Sequence, residues 1–444
     1  MRRRYYIATM GCQMNEYDSD LAGRLLVNSG LAPADNHENA DLIIINTCTV
    51  RAKAQQKAFS ILGRMAALKK KRRPDLILGI MGCVAQQEGA GLINRFPELD
   101  FVLGTREIGR IPQILDHIMN GREKVVSADL SQTKSFPDIN DMNDNYYQGR
   151  VKGYLSIMEG CNNFCSFCIV PFVRGREVSR TSRDIIREAQ YLISQGIKEI
   201  TLLGQNVNSY LSREERDVDF PMLLKMLNGL DGLRRIRFTT SHPKDLSDDL
   251  IRCFEQLDKL CPHIHLPLQS GSNKILSRMN RRYTREEYLE LVRKLRDVRP
   301  DLSITSDIIV GFPGETEEDF RMTLELIERI EFDGIYSFKY SDRKGTLAEK
   351  MGGKVNEGEK AVRLSKLQAI QHDITLKGNN NYLGRSQDVL VEGESRKGGQ
   401  LTGRTRSNKI VNFDCNSKHL GHFVKVLIKG ASTNSLQGLL LNGQ

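Results

Sequence analysis

Long apolar runs are missing from this chain. No stretch of its 444 residues approaches the ~20 consecutive apolar side chains that a membrane span requires. The opening Met1 to Thr9 carries charge, but its apolar part is too short for a secretory signal and reads instead as a first strand. Cysteine is scarce: nine residues, an odd number at long spacings, argue against a disulfide framework and fit a reducing compartment in which metal binding is the commoner use. Acidic residues are outnumbered, 55 against 65 Lys and Arg, and the formal charge of +10 favours a polyanionic partner. These absences point to a cytosolic protein of about three domains, at roughly 150 residues each.

What cysteine there is lies in informative places. Cys161, Cys165 and Cys168 fall within eight residues, just after the apolar run Tyr154 to Met158, and the next cysteine is Cys253. Three thiolates with no nearby fourth ligand leave a coordination position open, as an iron–sulfur cluster with one exchangeable iron would need. A zinc knuckle completed from a distance, or three buried cysteines acting as small hydrophobes, are the alternatives.

A second trio is spread over the first hundred residues. Apolar runs at Tyr5–Thr9, Leu42–Asn46 and Leu76–Met81 alternate with helical stretches, giving a β-α-β-α-β pattern and an open parallel sheet. Each run ends in a cysteine: Cys12, Cys48 and Cys83, 36 and 35 residues apart. Ligand sites in such sheets lie beyond the carboxyl ends of the strands, so the three would converge there. The run Lys69 to Arg73 either complements a helix dipole or touches phosphates. A polar, nearly aperiodic stretch at 127–149 reads as a linker.

From Gly153 onward six strand-like runs (154–158, 199–203, 235–240, 263–268, 303–309 and 334–340) alternate with amphipathic helices, which suggests a partial (β/α) barrel open on one side. Polar and glycine-rich residues follow several of them, arguing for a bound polar cofactor at that mouth. His263 and His265 alternate on one strand and read as core residues. Arg174, Arg176, Arg180 and Arg183 form either a solvated helix start or a guide for phosphates. Short β-runs separated by turns close the chain; residues 377–444 hold ten Lys or Arg against four Asp or Glu, so a small basic β-barrel is expected, either a nucleic-acid module or a soluble cap. The last apolar run, Leu436 to Leu441, is too short to anchor in a membrane.

These residues carry a resemblance. Met158-Glu159-Gly160 with the C-x3-C-x-Phe-C loop, and Ile169 to Glu177 after it, resemble the radical S-adenosylmethionine (SAM) methylthiotransferases. Cys12 to Ser19, Asn46 to Arg51 and Gly82 to Gln86 resemble the amino-terminal domain of that family, and Gly403 to Phe413 the RNA-binding TRAM domain. The resemblance spans the chain and implies four segments: an α/β domain at 1–126, a linker at 127–149, a partial radical SAM barrel at 150–376 and a TRAM β-barrel at 377–444.

The resemblance also implies two [4Fe-4S] clusters, an auxiliary one on Cys12, Cys48 and Cys83 and another on Cys161, Cys165 and Cys168 whose open iron is chelated by SAM. By resemblance Phe167 lies beside the adenine of SAM, with Gly204, Gln205, Asn206, Gln269, Ser270, Asp307, Gly311 and Glu315 around the cofactor. The implied reaction adds a methylthio group to carbon 2 of an isopentenylated adenosine beside the anticodon of tRNA. Siblings act on threonylcarbamoyl-adenosine or on an aspartate of a ribosomal protein. An electron donor such as flavodoxin or ferredoxin and a sulfur donor are the implied partners. Phe172-Val173 stands where Tyr-Thr is common, and Lys344 where proline is usual; neither touches a cluster ligand, but both bear on which substrate is read. A non-catalytic protein that binds metal and RNA is the rival from another class.

Overall fold

The computed structural model describes residues 2–49, 52–121, 123–130, 146–147, 149–213, 217–395, 398–414 and 417–441. Most of the expected linker at 127–149 lies outside the described residues.

The amino-terminal sheet has six parallel strands: β1 (Arg4–Met10), β2 (Ala32–Pro33), β3 (Leu42–Thr47), β4 (Ile77–Gly82), β5 (Phe101–Leu103) and β6 (Val125–Ser127), in the spatial order β2-β1-β3-β4-β5-β6. β3 is buried at every position, because helices cover both faces of the sheet and a strand buried on both sides carries a continuous apolar run. Helix Ala52–Arg72 packs on one face through Ala58, Leu62 and Met65. Helices Gln13–Asn28 and Ile111–Met119 pack on the other through Leu21, Leu26, Ile114 and Leu115.

The central domain carries β7 (Lys152–Ser156), β8 (Glu199–Leu203), β9 (Arg235–Phe238), β10 (His263–His265), β11 (Ser303–Val310) and β12 (Gly334–Lys339). These form two parallel three-stranded sheets, β9-β8-β7 and β10-β11-β12, joined by a parallel bridge between Ile236 and Leu260. Among the described residues β7 and β12 do not pair, so the barrel is open along one seam. Its core lies between strands and outer helices, with Leu155, Ile200, Leu202, Phe238, Ile264 and Ile308 among its members.

Helix Glu357–Asn380 leads to a closed barrel of β13 (Ser386–Glu394), β14 (Leu401–Thr405), β15 (Ile410–Asp414), β16 (Phe423–Ala431) and β17 (Leu436–Leu440). The final apolar run is thus the strand that closes this barrel, paired with both β15 and β16.

The small barrel docks on the amino-terminal ends of the central strands. Arg235, 1% exposed, donates to Arg404 O (2.9 Å) and Asp388 O (2.8 Å); Arg237 donates to Arg406 O (2.9 Å) and Thr405 O (2.8 Å). Glu199 lies 3.0 Å from Arg237, so the buried cations are neutralised within the interface. Lys198 reaches Gly421 O at 2.8 Å, and Lys409 pairs with Asp333 at 2.7 Å.

Candidate active site: two cysteine trios at one mouth

The auxiliary trio forms because three parallel strands end side by side. Cys12 caps helix Gln13–Asn28, and Cys83 opens helix Cys83–Glu88 directly after Gly82. Beneath them a buried polar network fixes the strand ends: Asn15 Nδ2 donates to Asn46 Oδ1 (2.9 Å), and Asn46 Nδ2 donates to Asn15 O (2.8 Å) and Ser19 Oγ (2.9 Å). A Cβ at Gly82 would meet Asn46 Oδ1 at 2.4 Å, and Gly82 has φ +93°, so glycine is required there. A Cβ at Gly11 would lie 2.7 Å from Cys48 Cβ.

The Cys48 thiol is hydrogen-bonded to both Cys12 and Cys83. The bond with Cys48 draws Cys12 down to about 6 against the effect of burial, and the Arg174 guanidinium adds to the lowering. Cys83 is lowered for the same leading reason, while its two bonds and burial push Cys48 up.

The second trio lies on the loop after β7. Gly160, at φ +81°, has Arg176 O where a Cβ would stand, 2.1 Å away, which lets the loop fold back on residues 175–176. Cys161 and Cys165 are each 9% exposed. Arg281 Nη1 donates to Cys165 Sγ at 3.5 Å, while its other nitrogens are held by Pro267 O (2.8 Å) and Tyr283 Oη (3.0 Å). Burial raises Cys161, and burial followed by the neighbouring Cys165 charge pushes Cys168 up to about 12. Among the described residues no three His, Cys, Asp or Glu side chains stand as ligands to a single metal ion. A thiolate set for a cluster binds a separate iron with each sulfur and has no need of that tight array.

The two trios are neighbours. Cys83 packs with Ile169 and Val173, which follow Cys168 in the chain. Buried Arg174 joins the domains: Nη2 lies 2.5 Å from Asp18 Oδ2, and Nη1 lies 2.9 Å from Glu159 Oε1. Arg180 and Arg24 share Glu188 in a second buried group, with Arg180 Nη1 2.5 Å from Oε2. Arg174 and Arg180 are therefore neither a solvated helix start nor a phosphate guide. Arg176 and Arg183 are exposed.

Several residues named for the cofactor hold unpaired polar atoms at this mouth. Gln205 Nε2, Asn206 Oδ1 and Gln269 Oε1 are buried without a hydrogen-bond partner in the protein, and Gln269 has φ +70°. Ser241 Oγ and His242 Nε2, which the sequence places at a strand end facing the same mouth but not among the named cofactor contacts, share that condition. Their position directly after a barrel strand was the available signal. Burial, followed by Arg281 and Lys244, holds His242 at about 2; with Nδ1 accepting the Lys244 N–H, the neutral ring offers Nε2–H as a donor. This ring of orphaned groups fits a polar cofactor.

The other residues named for the cofactor have neighbours of their own in the protein. Phe167 meets Phe312 edge-on, 6.4 Å between centroids. Gly204 admits Met158, whose Cγ would lie 2.4 Å from a Cβ there, and Gly311 admits Lys360. Ser270 is buried beside Thr323, with 3.5 Å between their hydroxyls. Glu315 accepts from Gly311 N (2.8 Å), Phe312 N (3.2 Å) and Arg363 Nη1 (2.9 Å). Asp307 lies 3.5 Å from His265 Nε2. His263 and His265 are half-buried on the inner face, His265 bonded to Thr305 and His263 to Thr305 and Asn408. Arg343, past the end of β12, lies within electrostatic reach of Cys48.

Comparison with known proteins follows the same three parts. Residues 4–104 match the Uncharacterized protein family UPF0004, residues 155–327 the radical SAM superfamily, and residues 380–441 the TRAM domain. A tRNA-2-methylthio-N(6)-dimethylallyladenosine synthase from Syntrophus aciditrophicus (strain SB) is 49% identical over 99% of this chain and 95% of its own length. The chain belongs to the tRNA-2-methylthio-N(6)-dimethylallyladenosine synthase family. A second synthase, from Geobacter metallireducens, is also 49% identical, over 98% of both chains. Among solved structures the synthase fold is similar to the radical S-adenosylmethionine methyltransferase TsrM from Kitasatospora setae, with TM-score 0.57 and 15% identity over 79% of this chain and 77% of that one.

Proposed function

We propose that this protein is a tRNA methylthiotransferase that adds a methylthio group to carbon 2 of N6-isopentenyladenosine beside the anticodon. The observation that carries the reading is the meeting of two three-cysteine sets at one mouth, with Cys83 packed against the chain that follows Cys168. Kinship over the full length with synthases named for that product supports it. Cys12, Cys48 and Cys83 would hold an auxiliary [4Fe-4S] cluster, and Cys161, Cys165 and Cys168 a second one beside SAM.

When bound, these groups supply radical chemistry, which the reaction needs because the hydrogen on carbon 2 of adenine is not acidic enough for a side-chain base. The chain's own residues position and insulate. Arg281 donates to Cys165 and would steady that thiolate. Gln205, Asn206, Ser241, His242 and Gln269 would satisfy polar groups of SAM, with Phe167, Gly204, Ser270, Gly311 and Glu315 shaping the loops around it and Asp307 on the inner wall of the barrel next to them. Arg174 would keep positive charge buried beside the Cys12, Cys48 and Cys83 set.

The reading divides the chain into 1–126, 127–149, 150–376 and 377–444, with the last part as the tRNA-binding barrel. It calls for an electron donor such as flavodoxin or ferredoxin, a sulfur donor, and a cytoplasmic setting. No helix among the described residues is long and apolar enough to cross a membrane.

The test is nucleoside mass spectrometry of total tRNA from the host with and without the gene. Loss of 2-methylthio-isopentenyladenosine with accumulation of isopentenyladenosine supports the proposal. Loss of the threonylcarbamoyl analogue instead would move the protein to a sibling activity. An unchanged nucleoside profile would favour a ribosomal-protein substrate or the non-catalytic alternative.

A further inference from the structure

The edge strand at the open seam carries an aromatic pair on the wrong face for a core. Along β12, Tyr336 is 57% exposed and Phe338 38% exposed, whereas Ile335, on the opposite face, packs towards the outer helices. Alternation on a strand puts 336 and 338 on one face, and the parallel register sets them beside Asp307 and Ile309 of β11. That is the inner face of the barrel. In a closed barrel it would be packed; here the unpaired seam leaves two rings bare.

The surroundings of the pair are polar and directional. The Tyr336 ring meets the His265 ring edge-on at 5.8 Å, and His265 is held by Thr305 Oγ1 (3.0 Å) and Asp307 Oδ2 (3.5 Å). Donors and acceptors therefore stand at the edge of the aromatic surface, where the edge of a stacked base would lie. β12 runs on to Tyr340, which packs with Phe312 beside Phe167 of the Cys161–Cys168 loop. Three residues later Arg343 comes within electrostatic reach of Cys48. β12 thus leads from the aromatic pair to the Cys161–Cys168 loop.

We propose that Tyr336 and Phe338 form the platform on which the target adenine of the RNA stacks, with His265 and Asp307 reading its polar edge. This rests on the function proposed above. An adenine must leave its neighbours in the loop for chemistry at carbon 2, and an aromatic surface replaces the stacking it loses. Every base has a stacking face, so the platform supplies affinity while the His265–Asp307 pair supplies selection.

The experiment measures binding by the cluster-loaded protein of two synthetic stem-loop RNAs, one bearing N6-isopentenyladenosine and one abasic at that position. Tyr336→Ala and Phe338→Ala are each expected to lose about tenfold in affinity for the intact RNA and nothing for the abasic one. Tyr336→Phe should retain most of the wild-type affinity. Iron content and melting temperature report whether each variant is folded. Equal losses on both RNAs, or no loss on the intact RNA, would overturn the platform. A weakened affinity for SAM with RNA binding intact would assign the rings to the cofactor and overturn it as well. Wild-type protein that prefers the intact RNA but yields no 2-methylthio product would instead count against the proposed reaction and leave the platform standing.

Discussion

Arg174 and Asp18 are 156 residues apart in sequence and meet at 2.5 Å in the buried joint between the first two domains. Asp18 belongs to the helix that Cys12 caps, and Arg174 to the loop that follows Cys168. One guanidinium therefore couples the elements that carry the two cysteine sets. A lysine could not replace it, because a single ammonium lacks the fork that reaches Asp18 and Glu159 together.

Replacing Arg174 by Gln leaves two buried carboxylates without their cation. The expected cost is about 3–5 kcal/mol. Urea denaturation of the variant should show that loss. An unchanged midpoint would mean that water reaches the joint and the ion pair is not structural.

Gly82→Ala adds a methyl group where Asn46 Oδ1 and Thr47 O stand, at a positive φ that alanine adopts only with strain. The strand end carrying Cys83 must then shift. Under the proposed ligation, about half of the bound iron should be lost while the Cys161, Cys165 and Cys168 set keeps its share. Iron analysis with visible absorption checks this. Full iron occupancy in the variant would contradict the assignment of Cys83.

Asp319 gives a pH dependence of known sign. Burial pushes its carboxyl up, but Lys274 (2.7 Å), Thr316 N (2.9 Å) and Ser272 Oγ (2.7 Å) outweigh that and hold it well below the usual range. Below about pH 4 the unfolded chain binds this proton before the folded one does, so stability falls as pH drops. Above that pH the contribution is fully present. The gap in urea midpoint between wild type and Asp319→Asn should be widest near neutral pH and shrink below about pH 4. A gap that does not narrow would mean that the carboxylate charge is not what stabilises the loop.

In the last domain much of the basic charge is occupied. Arg406 donates to Leu260 O at 3.1 Å, and Lys409 pairs with Asp333. Lys425 and Lys429 on β16 are exposed. Lys425→Glu with Lys429→Glu is expected to weaken binding of a tRNA stem-loop and to lower the salt slope of log K by about 0.7–0.9 for each phosphate that is no longer neutralised. Unchanged affinity and slope would place the RNA on another face.

The long parallel strands were legible because their apolar runs are unbroken. Leu42 to Asn46 is buried along its whole length, as a strand covered on both faces must be. Phe101–Leu103 and Val125–Ser127 were not legible, since three residues carry no usable period. The Cys12, Cys48 and Cys83 set could be found from spacing because strand ends in a parallel sheet share one edge, and the other because its three members lie on one loop. Arg174 could not be placed from sequence: an arginine after a loop looks the same whether it meets solvent or two distant carboxylates. In the run Lys69 to Arg73, Lys69 pairs with Asp100 and Arg73 with Asp41, while Lys70, Lys71 and Arg72 are exposed. His263 and His265 line the inner face of the open barrel, where each has hydrogen-bond partners within the protein.

The small barrel covers the amino ends of the central strands, while the cysteines gather at their carboxyl ends. An RNA gripped by the first and modified at the second must bridge one strand length, about 17–20 Å. Under the proposed function the fold would then act as a ruler, selecting a nucleotide by how far it lies from the stem as well as by what base it carries. A stem-loop with the same modified adenosine moved two positions along its loop would present the right chemistry at the wrong distance.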